Sequence, residues 1–378
     1  MTIRLRSALA FALAILAASC SGYPSDQEPL ISADTGPRYI FLFIGDGMGK
    51  AHVESAEAAL RASEGRGLSF AAFPVQGSLG TKSLSLGATD SAAAATALAT
   101  GRKTANGVLG MDPSGREIYE TLADLSRATG RSVGIISSVS LNHATPAGFY
   151  AASPSRSLYH SIGIQLAQSG FEYLAGGGLL ENEDPAGSGP SLLDIFSLAG
   201  YSIADTKAEF DALSPSSGKI LAFGDPLDHG SSLPYEAQMP SGGLRLADLA
   251  GKGIELLSHD PEGFFMMIEG GKIDWASHDG DLELARAEVR GMDAAVDRAL
   301  DFMEAHPGDC LVVVTADHET GKLAADGMGG YAFASSSHSS ARVGVYALGL
   351  GEELFSGDYE NTGIFFRIKA LIEAPHAP

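Results

Sequence analysis

Cysteine is scarce in this sequence: the chain has two among 378 residues, Cys20 and Cys310. Cys310 opens the apolar run 310–314, a pattern typical of a buried strand. We therefore expect Cys310 to be a buried strand residue that packs as a small apolar side chain. No second cysteine remains near it in the body of the chain, so a fold stabilised by intrachain disulfides is excluded.

Basic residues are also few: 25 lysines and arginines stand against 46 aspartates and glutamates, and the net charge is −21. An acidic exterior repels the phosphate backbone of nucleic acids, so nucleic acid is not an expected partner. The same repulsion acts on any small anionic substrate, unless bound metal ions make its site locally positive. Some of the acidic residues are therefore candidates for metal ligands.

Long apolar runs of the kind that span a membrane are missing too. The run 9–18 is too short for a bilayer, and two arginines precede it, so residues 1–20 are predicted to be a signal peptide. The sequence before Cys20 resembles a lipoprotein cleavage box, which predicts an exported, periplasmic protein anchored through an acylated Cys20. The alternative is a soluble periplasmic protein. Residues 21–37 are predicted to form a flexible tether.

Five apolar runs have the length of strands, and amphipathic patterns separate them. The clearest helical pattern covers 283–306, where apolar residues recur at steps of three and four. Runs that are apolar throughout indicate strands buried on both faces. The fold class is therefore predicted as α/β, a single large domain at 38–373 with a mainly parallel central sheet and helices on both faces. The weakly periodic segment near 179–244 is predicted to be a loop-rich insertion outside that sheet. The five runs are 39–44, 133–137, 264–268, 311–315 and 343–348.

Residues able to bind metal follow four of these runs. In parallel sheets, ligands bind beyond the carboxyl ends of the strands, so these residues are expected to meet at one edge. Any one of them alone would be interpreted as an ordinary turn or loop residue. Imidazoles suit zinc, and hydroxyl and carboxylate oxygens suit magnesium, so the set predicts a metal centre. The residues are Asp46, His143, Thr145, Glu269, Asp274, His278, Asp317 and His318.

Ser91 is the candidate nucleophile. It follows Asp90 and precedes the alanine-rich run 92–99, which places it in the first turn of a helix. One interpretation is ordinary helix capping by Asp90 or Ser91. The other is that the helix N-terminus favours both an ionised Ser91 and a bound phosphate. No histidine or lysine stands beside Ser91 in an activating motif, so activation would come from a metal ion.

Five motifs extend from the first predicted strand almost to the C-terminus. They are Asp46-Gly47-Met48-Gly49, Asp90-Ser91-Ala92-Ala93, His143-Ala144-Thr145-Pro146-Ala147, Glu269-Gly270-Gly271 through Asp274 to His278, and Thr315-Ala316-Asp317-His318 followed by His338. Taken together, these motifs make the chain resemble the bacterial alkaline phosphatases, which are metal-dependent phosphomonoesterases. Single motifs of this kind are weak, whereas the set, in the order found in that family, is highly specific.

The resemblance implies two zinc ions, one magnesium ion and a phosphoserine formed on Ser91. It also implies that Arg156 binds the phosphate of the substrate, and it assigns no role to Trp275, which replaces the lysine or histidine of other family members. The implied zinc ligands are Asp274, His278 and His338 for one ion, and Asp46, Asp317, His318 and the Ser91 oxygen for the other. The implied magnesium ligands are Asp46, Thr145 and Glu269, with His143 either binding the ion or orienting its waters.

Other functions stay open at this point. A phosphodiesterase of the same superfamily would use the same metal scaffold, whereas the nucleophile motif of a sulfatase does not occur at Ser91. A noncatalytic metal-binding envelope lipoprotein would need neither Ser91 nor Arg156. The expected partners are small phosphate monoesters, and the chain is expected to be a monomer or a homodimer. The remaining histidines are predicted to be surface or helix-end residues: His52, His160, His229, His259, His306 and His376.

Overall fold

A computed structural model of the chain describes residues 31–376. The predicted signal peptide, Cys20 and most of the predicted tether lie outside the described residues. Between residues 31 and 376, none of the helices combines the length and the apolar character that a membrane span requires.

A ten-stranded sheet forms the centre of the described part of the chain. Numbered along the chain, its strands are β1 (Tyr39–Gly45), β2 (Val75–Gly80), β3 (Ser132–Ser137), β4 (Tyr173–Gly176), β5 (Tyr201–Ala204), β6 (Lys219–Phe223), β7 (Phe264–Gly270), β8 (Cys310–Ala316), β13 (Val343–Gly349) and β14 (Gly357–Glu360). Four short strands lie outside this sheet: β9 (Glu319–Thr320), β10 (Ala324–Ala325), β11 (Tyr331–Ala332) and β12 (His338–Ser339).

The strand order in the large sheet is β14-β2-β13-β8-β1-β7-β3-β4-β6-β5. Neighbouring strands are parallel, except that β13 runs antiparallel to both β2 and β8. The prediction of a mainly parallel sheet is therefore confirmed.

Eleven α-helices connect and cover the strands of the described residues. The longest begins at Leu282 and ends at Ala305, close to the range predicted from its periodicity. In chain order the helices are α1 (Lys50–Glu64), α2 (Ser91–Thr100), α3 (Leu122–Ala128), α4 (Ala144–Ala147), α5 (Tyr159–Ser169), α6 (Leu192–Leu198), α7 (Lys207–Ala212), α8 (Leu246–Leu257), α9 (Lys272–His278), α10 (Leu282–Ala305) and α11 (Thr362–Glu373).

Helices cover both faces of the sheet, as expected for strands that are apolar throughout. Successive side chains of a strand point to opposite faces. In β7, Phe264 packs against Phe302 of α10. The next residue, Phe265, packs against Phe149, which follows α4. The prediction of a single α/β domain with helices on both faces is therefore confirmed. Cys310 is buried at the start of β8, as predicted.

The insertion predicted at 179–244 differs from the structure in one respect. It is rich in loops, but it does not leave the sheet, because β6 pairs with β4 and β5 pairs with β6. Both strands are short, and β5, at the edge of the sheet, is buried only at its first and last residues. A strand of four or five residues between serine- and glycine-rich turns has too few apolar positions to give a clear periodic signal.

The register of the three central strands sets the position of the site. Gly45 at the end of β1 is level with Gly270 in β7 and with Ala316 in β8. The segments that follow these strands therefore leave the sheet at the same height. Because β13 runs in the opposite direction, it begins at this edge, so the chain that leads into it also passes here.

Candidate metal centre

The carboxyl edge of the sheet collects the predicted ligands from distant parts of the chain. Asp46 follows β1, Glu269 lies at the end of β7, and Asp317 follows β8. Helix α9 starts two residues after β7 and carries Asp274 and His278 one turn apart. His338 arrives through β12, which pairs with β9 so that His338 is opposite Thr320.

Asp274, His278 and His338 form the first group of possible ligands. His278 Nε2 lies 3.3 Å from Asp274 Oδ2, and His338 Nε2 lies 3.5 Å from Asp274 Oδ1. The two Nε2 atoms are 3.1 Å apart. Two imidazole nitrogens and one carboxylate around a single point are a typical donor set for zinc with an open fourth position.

The second group consists of Asp46, Asp317 and His318, all fully buried. His318 Nε2 is 3.3 Å from Asp46 Oδ1 and 3.4 Å from Asp317 Oδ2. The hydroxyl of Ser91 lies beside this group, with its Oγ 3.4 Å from the same Nε2 atom. The group thus offers one nitrogen and two carboxylates, with the candidate nucleophile at the remaining side.

The third group shares Asp46 with the second and adds His143 and Glu269. Thr145 Oγ1 donates to Asp46 Oδ2 at 3.4 Å. Ser137 Oγ donates to Glu269 Oε2, which leaves Glu269 Oε1 facing the group. Carboxylate and hydroxyl oxygens dominate this group, as magnesium prefers.

The carboxylates of the three groups lie close together, and the described residues do not supply enough positive charge to neutralise them. Burial raises the pKa of Glu269 to about 8 and that of Asp317 to about 7. Burial, reinforced by repulsion from Asp317 and Asp274, holds the pKa of Asp46 well above its usual range. Within residues 31–376, Asp46 Oδ1, Glu269 Oε1 and Asp317 Oδ2 are buried without a hydrogen-bond partner. Such oxygens are costly to bury unless cations neutralise them, so the residues present fit bound metal ions.

Hydrogen bonds orient three histidines so that each presents Nε2 to its group. His278 Nδ1 lies 2.6 Å from the carbonyl oxygen of Ser336, and His338 Nδ1 lies 2.9 Å from that of Thr89. A carbonyl oxygen only accepts, so in both rings Nδ1 carries the proton when the ring is neutral. His318 Nδ1 lies 3.3 Å from Thr320 Oγ1, which can accept in the same way. A fixed Nδ1–H frees the Nε2 lone pair for a metal ion.

Asp274 differs from the other carboxylates because it is surrounded by histidines. Although burial alone would raise it, hydrogen bonds from His278 and His338 hold the pKa of Asp274 well below its usual range. The bond to Asp274 in turn raises the pKa of His278 to about 9. In His318 burial is the dominant effect: it lowers the pKa of the imidazole to about 3, so the ring is neutral. The first group is thus an ionised carboxylate held between two basic imidazoles.

Ser91 is the first residue of α2, and the structure separates it from the capping role. Asp90 is the N-cap, since its Oδ1 accepts from the backbone N–H of Ala93 at 3.1 Å. The Ser91 hydroxyl is therefore free to point at His318, and the side chain is only 2% exposed. Asp90, and not Ser91, is therefore the residue that caps the helix.

Arg156 contacts Asp90, the residue before Ser91, and His143 of the third group. Its Nη1 donates to Asp90 Oδ2 at 3.2 Å, and its Nη2 lies 3.2 Å from His143 Nε2. Burial, and then the charge of Arg156, lower the pKa of His143 to about 3, so the imidazole is neutral and accepts from the guanidinium. Both contacts hold the fork of Arg156 beside the metal groups, where it can bind two oxygens of a phosphate.

Sequence reasoning missed three residues that orient this site. Thr320 Oγ1 lies 2.5 Å from Asp274 Oδ1 and also contacts His318, so it bridges the first and second groups. Ser137 holds Glu269, and Asp90 holds Arg156. Asp90 carried a signal as an N-cap aspartate, and Thr320 follows His318 by two residues. Ser137 carried none, because serine at a strand end is common.

Two histidines outside the site lie at helix ends, as predicted, but are buried: His52 and His160. His52 lies in the first turn of α1, but it is 1% exposed and not on the surface. Its Nε2 is 3.0 Å from Ser277 Oγ, and burial lowers its pKa to about 4. It is therefore a neutral core residue in the interface between α1 and α9.

Comparisons with known proteins agree with this geometry. A family profile described as alkaline phosphatase matches residues 38–175 and 182–334. Alkaline phosphatase 3 of Bacillus subtilis is 34% identical over 249 residues, which cover 64% of this chain and 51% of that protein. The match thus spans about half the length of this relative. Alkaline phosphatase of Escherichia coli is 28% identical over 396 residues, covering 91% of this chain and 83% of that protein.

Solved structures show the same similarity in three dimensions. Alkaline phosphatase from the Antarctic bacterium TAB5 has a TM-score of 0.80 and 29% identity, and the match covers 90% of this chain and 99% of that one. A variant of the TAB5 enzyme, described as having magnesium bound in its M3 site, has a TM-score of 0.79 and 28% identity over 90% of this chain and 99% of that one. The profile covers well over half of the chain in two blocks that contain nearly all the ligands described above. The chain therefore belongs to the alkaline phosphatase family.

Proposed function

We propose that the protein hydrolyses phosphate monoesters at a centre that holds two zinc ions and one magnesium ion, through a phosphoserine on Ser91. The observation that carries this proposal is the cluster of three possible ligand groups, with the hydroxyl of Ser91 next to His318 of the second group and Arg156 held by Asp90 and His143. A protein that only stores metal needs neither a serine hydroxyl nor an arginine fork at its ligands. The family to which the chain belongs supports the same activity.

The donor sets assign each ion to its ligands. Asp274, His278 and His338 would hold one zinc ion, and Asp46, Asp317, His318 and the Ser91 oxygen would hold the other. Asp46, Thr145 and Glu269 would hold magnesium, and His143 would orient its waters, because its Nε2 already accepts from Arg156. When bound, these ions would lower the pKa of the Ser91 hydroxyl and neutralise the oxygen of the departing alcohol.

The residues of the chain then perform two substitutions at phosphorus. Ser91 Oγ forms a bond to phosphorus while the bond from phosphorus to the alcohol oxygen breaks, and the alcohol leaves. Water then forms a new bond to phosphorus, and the bond to Ser91 Oγ breaks to release inorganic phosphate. Arg156 binds two phosphate oxygens in both steps, and the free backbone N–H groups at the start of α2 face the same charge.

Localisation is a further part of the proposal. The N-terminal sequence supports export to the periplasm and attachment to a membrane through an acylated Cys20. Mass spectrometry of the protein from its membrane fraction would detect the acyl groups on Cys20. A Cys20→Ala variant recovered in the soluble periplasmic fraction would support the anchor, whereas a wild-type protein found there would contradict it.

Turnover of p-nitrophenyl phosphate at alkaline pH tests the activity. We expect activity that a chelator abolishes and that zinc plus magnesium restore. Ser91→Ala should lower kcat by at least about 10³-fold, because the phosphoserine can no longer form. Intact turnover in that variant would refute the phosphoserine step, and faster turnover of a diester or a sulfate ester would show that the monoester is not the preferred substrate.

A further inference from the structure

A cavity of about 400 Å³ opens beside the first zinc group and takes no part in the chemistry described above. His278 lines it, and His278 also belongs to the group placed at the departing alcohol. A cavity of this volume can hold a small organic molecule, since ligand pockets begin at roughly 300 Å³. The alcohol half of a substrate would therefore leave the phosphate in the direction of this cavity.

Two aromatic rings line the cavity, Trp275 and Tyr235. Trp275 is in α9 between two zinc ligands, and its ring meets that of His143 edge-on at 6.2 Å between ring centres. The indole thus lies beside His143 of the third group and also lines the cavity, which His278 of the first group lines as well. Tyr235 comes from the loop between β6 and α8. Both rings are only partly buried, so each has surface available to a bound molecule.

Lys272 holds the walls of this cavity in place. Its ammonium lies 3.7 Å from the centre of the Tyr235 ring and 5.7 Å from that of the Trp275 ring. It also donates to Asp228 Oδ2 at 3.2 Å and to the carbonyl oxygen of Leu233 at 2.8 Å. Lys272 is 1% exposed, so its ammonium group is occupied by these contacts and is not available to bind a ligand. The aromatic walls are therefore preformed.

The loop that contains Gly230 lies close to the Trp275 ring, which also indicates that the aromatic walls are preformed. Gly230 has φ of +68°, and a Cβ at this position would lie 3.1 Å from Cη2 of Trp275. The absence of a side chain lets the loop pack on the edge of the indole. Among the other polar groups at the cavity, Asp228 is paired with Lys272, whereas Asp279 is an exposed carboxylate. Asp279 would repel a ligand with additional negative charge, whereas it would not repel an uncharged ring.

From these observations we infer that the cavity is a binding subsite for the alcohol part of the substrate, and that it selects monoesters whose alcohol carries a flat ring without further negative charge. The inference rests on the proposed phosphatase activity. Trp275 and Tyr235 are its specificity-determining residues, because their faces stack on the ring.

Two alkyl esters that differ mainly in the ring test the inference. Phenethyl phosphate and ethyl phosphate both release a primary alcohol, so the ratio of their kcat/KM values reports binding of the ring and not leaving-group reactivity. We expect a ratio above about 10 for the wild type, in line with stacking worth at least ~1.4 kcal/mol. A carboxylate on the ring should lower kcat/KM, and Tyr235→Ala and Trp275→Ala should bring the ratio towards 1.

A control variant and a binding measurement complete the test. Tyr346→Ala removes a tyrosine from a separate groove at Lys50 and Gln76, and it should retain the wild-type ratio. Trp275 is the only tryptophan of the chain, so its fluorescence reports directly on the cavity. We expect 2-phenylethanol to change this emission in a saturable manner, ethanol to leave it unchanged, and Tyr235→Ala to weaken the response.

The possible results separate the two levels of the proposal. A ratio near 1 in the wild type, or the same ratio in wild type and Tyr235→Ala, would overturn the subsite while the phosphatase activity stands. Loss of turnover on every ester by the metal-loaded protein would overturn the phosphatase activity, and the alcohol subsite would fall with it. Unchanged fluorescence with 2-phenylethanol would overturn binding of the ring independently of any turnover.

Discussion

Glu288 is a buried carboxylate outside the metal centre, and its replacement gives a quantitative prediction. It lies in α10, is 7% exposed and accepts from the backbone N–H of Glu236. Burial raises its pKa to about 7, and the nearby carboxylate of Glu236 adds to that effect. In the unfolded chain the same group has its ordinary pKa of about 4.5. Glu288→Gln keeps the accepting oxygen and removes the ionisation.

The direction of the change in stability with pH depends on which state, folded or unfolded, binds the proton of Glu288 more tightly. The folded state holds the proton more tightly than the unfolded state does, so folding loses stability as the pH rises from about 4.5 to about 7. The difference between the pKa of Glu288 in the folded and in the unfolded chain corresponds to ~3 kcal/mol of lost stability at pH 8, and to less than ~1 kcal/mol at pH 5. The Glu288→Gln variant has no carboxyl group to ionise at this position, so it does not lose this stability as the pH rises. We therefore expect the variant to be more stable than the wild type at pH 8, by ~3 kcal/mol at most.

Urea unfolding at pH 5 and at pH 8 measures the effect, with the metal content of both proteins matched. Glu304→Gln is the control, because Glu304 is an exposed residue of the same helix and its replacement should change stability by less than ~0.5 kcal/mol at either pH. If Glu288→Gln gave the same difference from the wild type at both pH values, Glu288 would not titrate between them. A destabilised variant at pH 8 would show that the charge of Glu288 is needed by its neighbours.

Three further predictions concern the metal centre. Thr320→Val removes the hydroxyl between Asp274 and His318, so zinc affinity should fall about 10- to 100-fold in a zinc titration, whereas Thr320→Ser should retain it. Asp90→Asn weakens the hold on Arg156 and should raise KM for p-nitrophenyl phosphate more than it lowers kcat; an unchanged KM would contradict the role of Asp90. Chelation leaves the buried carboxylates uncompensated, so the melting temperature should fall and zinc should restore it, and an identical melting curve with and without chelator would count against a structural effect of the metals.

Five of the ten strands in the sheet, and the position of the site, could be predicted because parallel topology leaves few alternatives. Runs that are apolar throughout must lie in a sheet covered on both faces, and ligands then lie beyond the carboxyl ends of its strands. Asp46, Glu269 and Asp317 meet for this reason, although more than 200 residues of chain lie between Asp46 and Glu269. Ser91 could be placed at a helix start because alanines follow it and Asp90 precedes it.

Residues that act through tertiary contacts could not be predicted in the same way. Thr320 and Ser137 orient ligands by single hydrogen bonds, and a threonine or serine that makes such a bond has the same local sequence as one that does not. His52 is buried because α1 packs on α10 and the imidazole contacts Ser277 of α9, which its local pattern does not reveal. The short strand β5 gave no clear period for the same reason: its neighbours, and not its own sequence, make it a strand.

The proposed alcohol subsite at Trp275 would make substrate choice separable from the chemistry in this chain. The ligands are tied to strand ends, so any sequence that keeps the sheet and the motifs places them together. Tyr235 and Gly230 come from the region between β6 and α8, where no motif constrains the loop. Lys272 links that loop to α9 through two hydrogen bonds and a ring contact, and Gly230 packs against Trp275. A change of a few residues in this loop would alter the alcohol that fits without moving any ligand. Substrate preference in this family is therefore expected to follow such loops and not the motifs by which its members are identified.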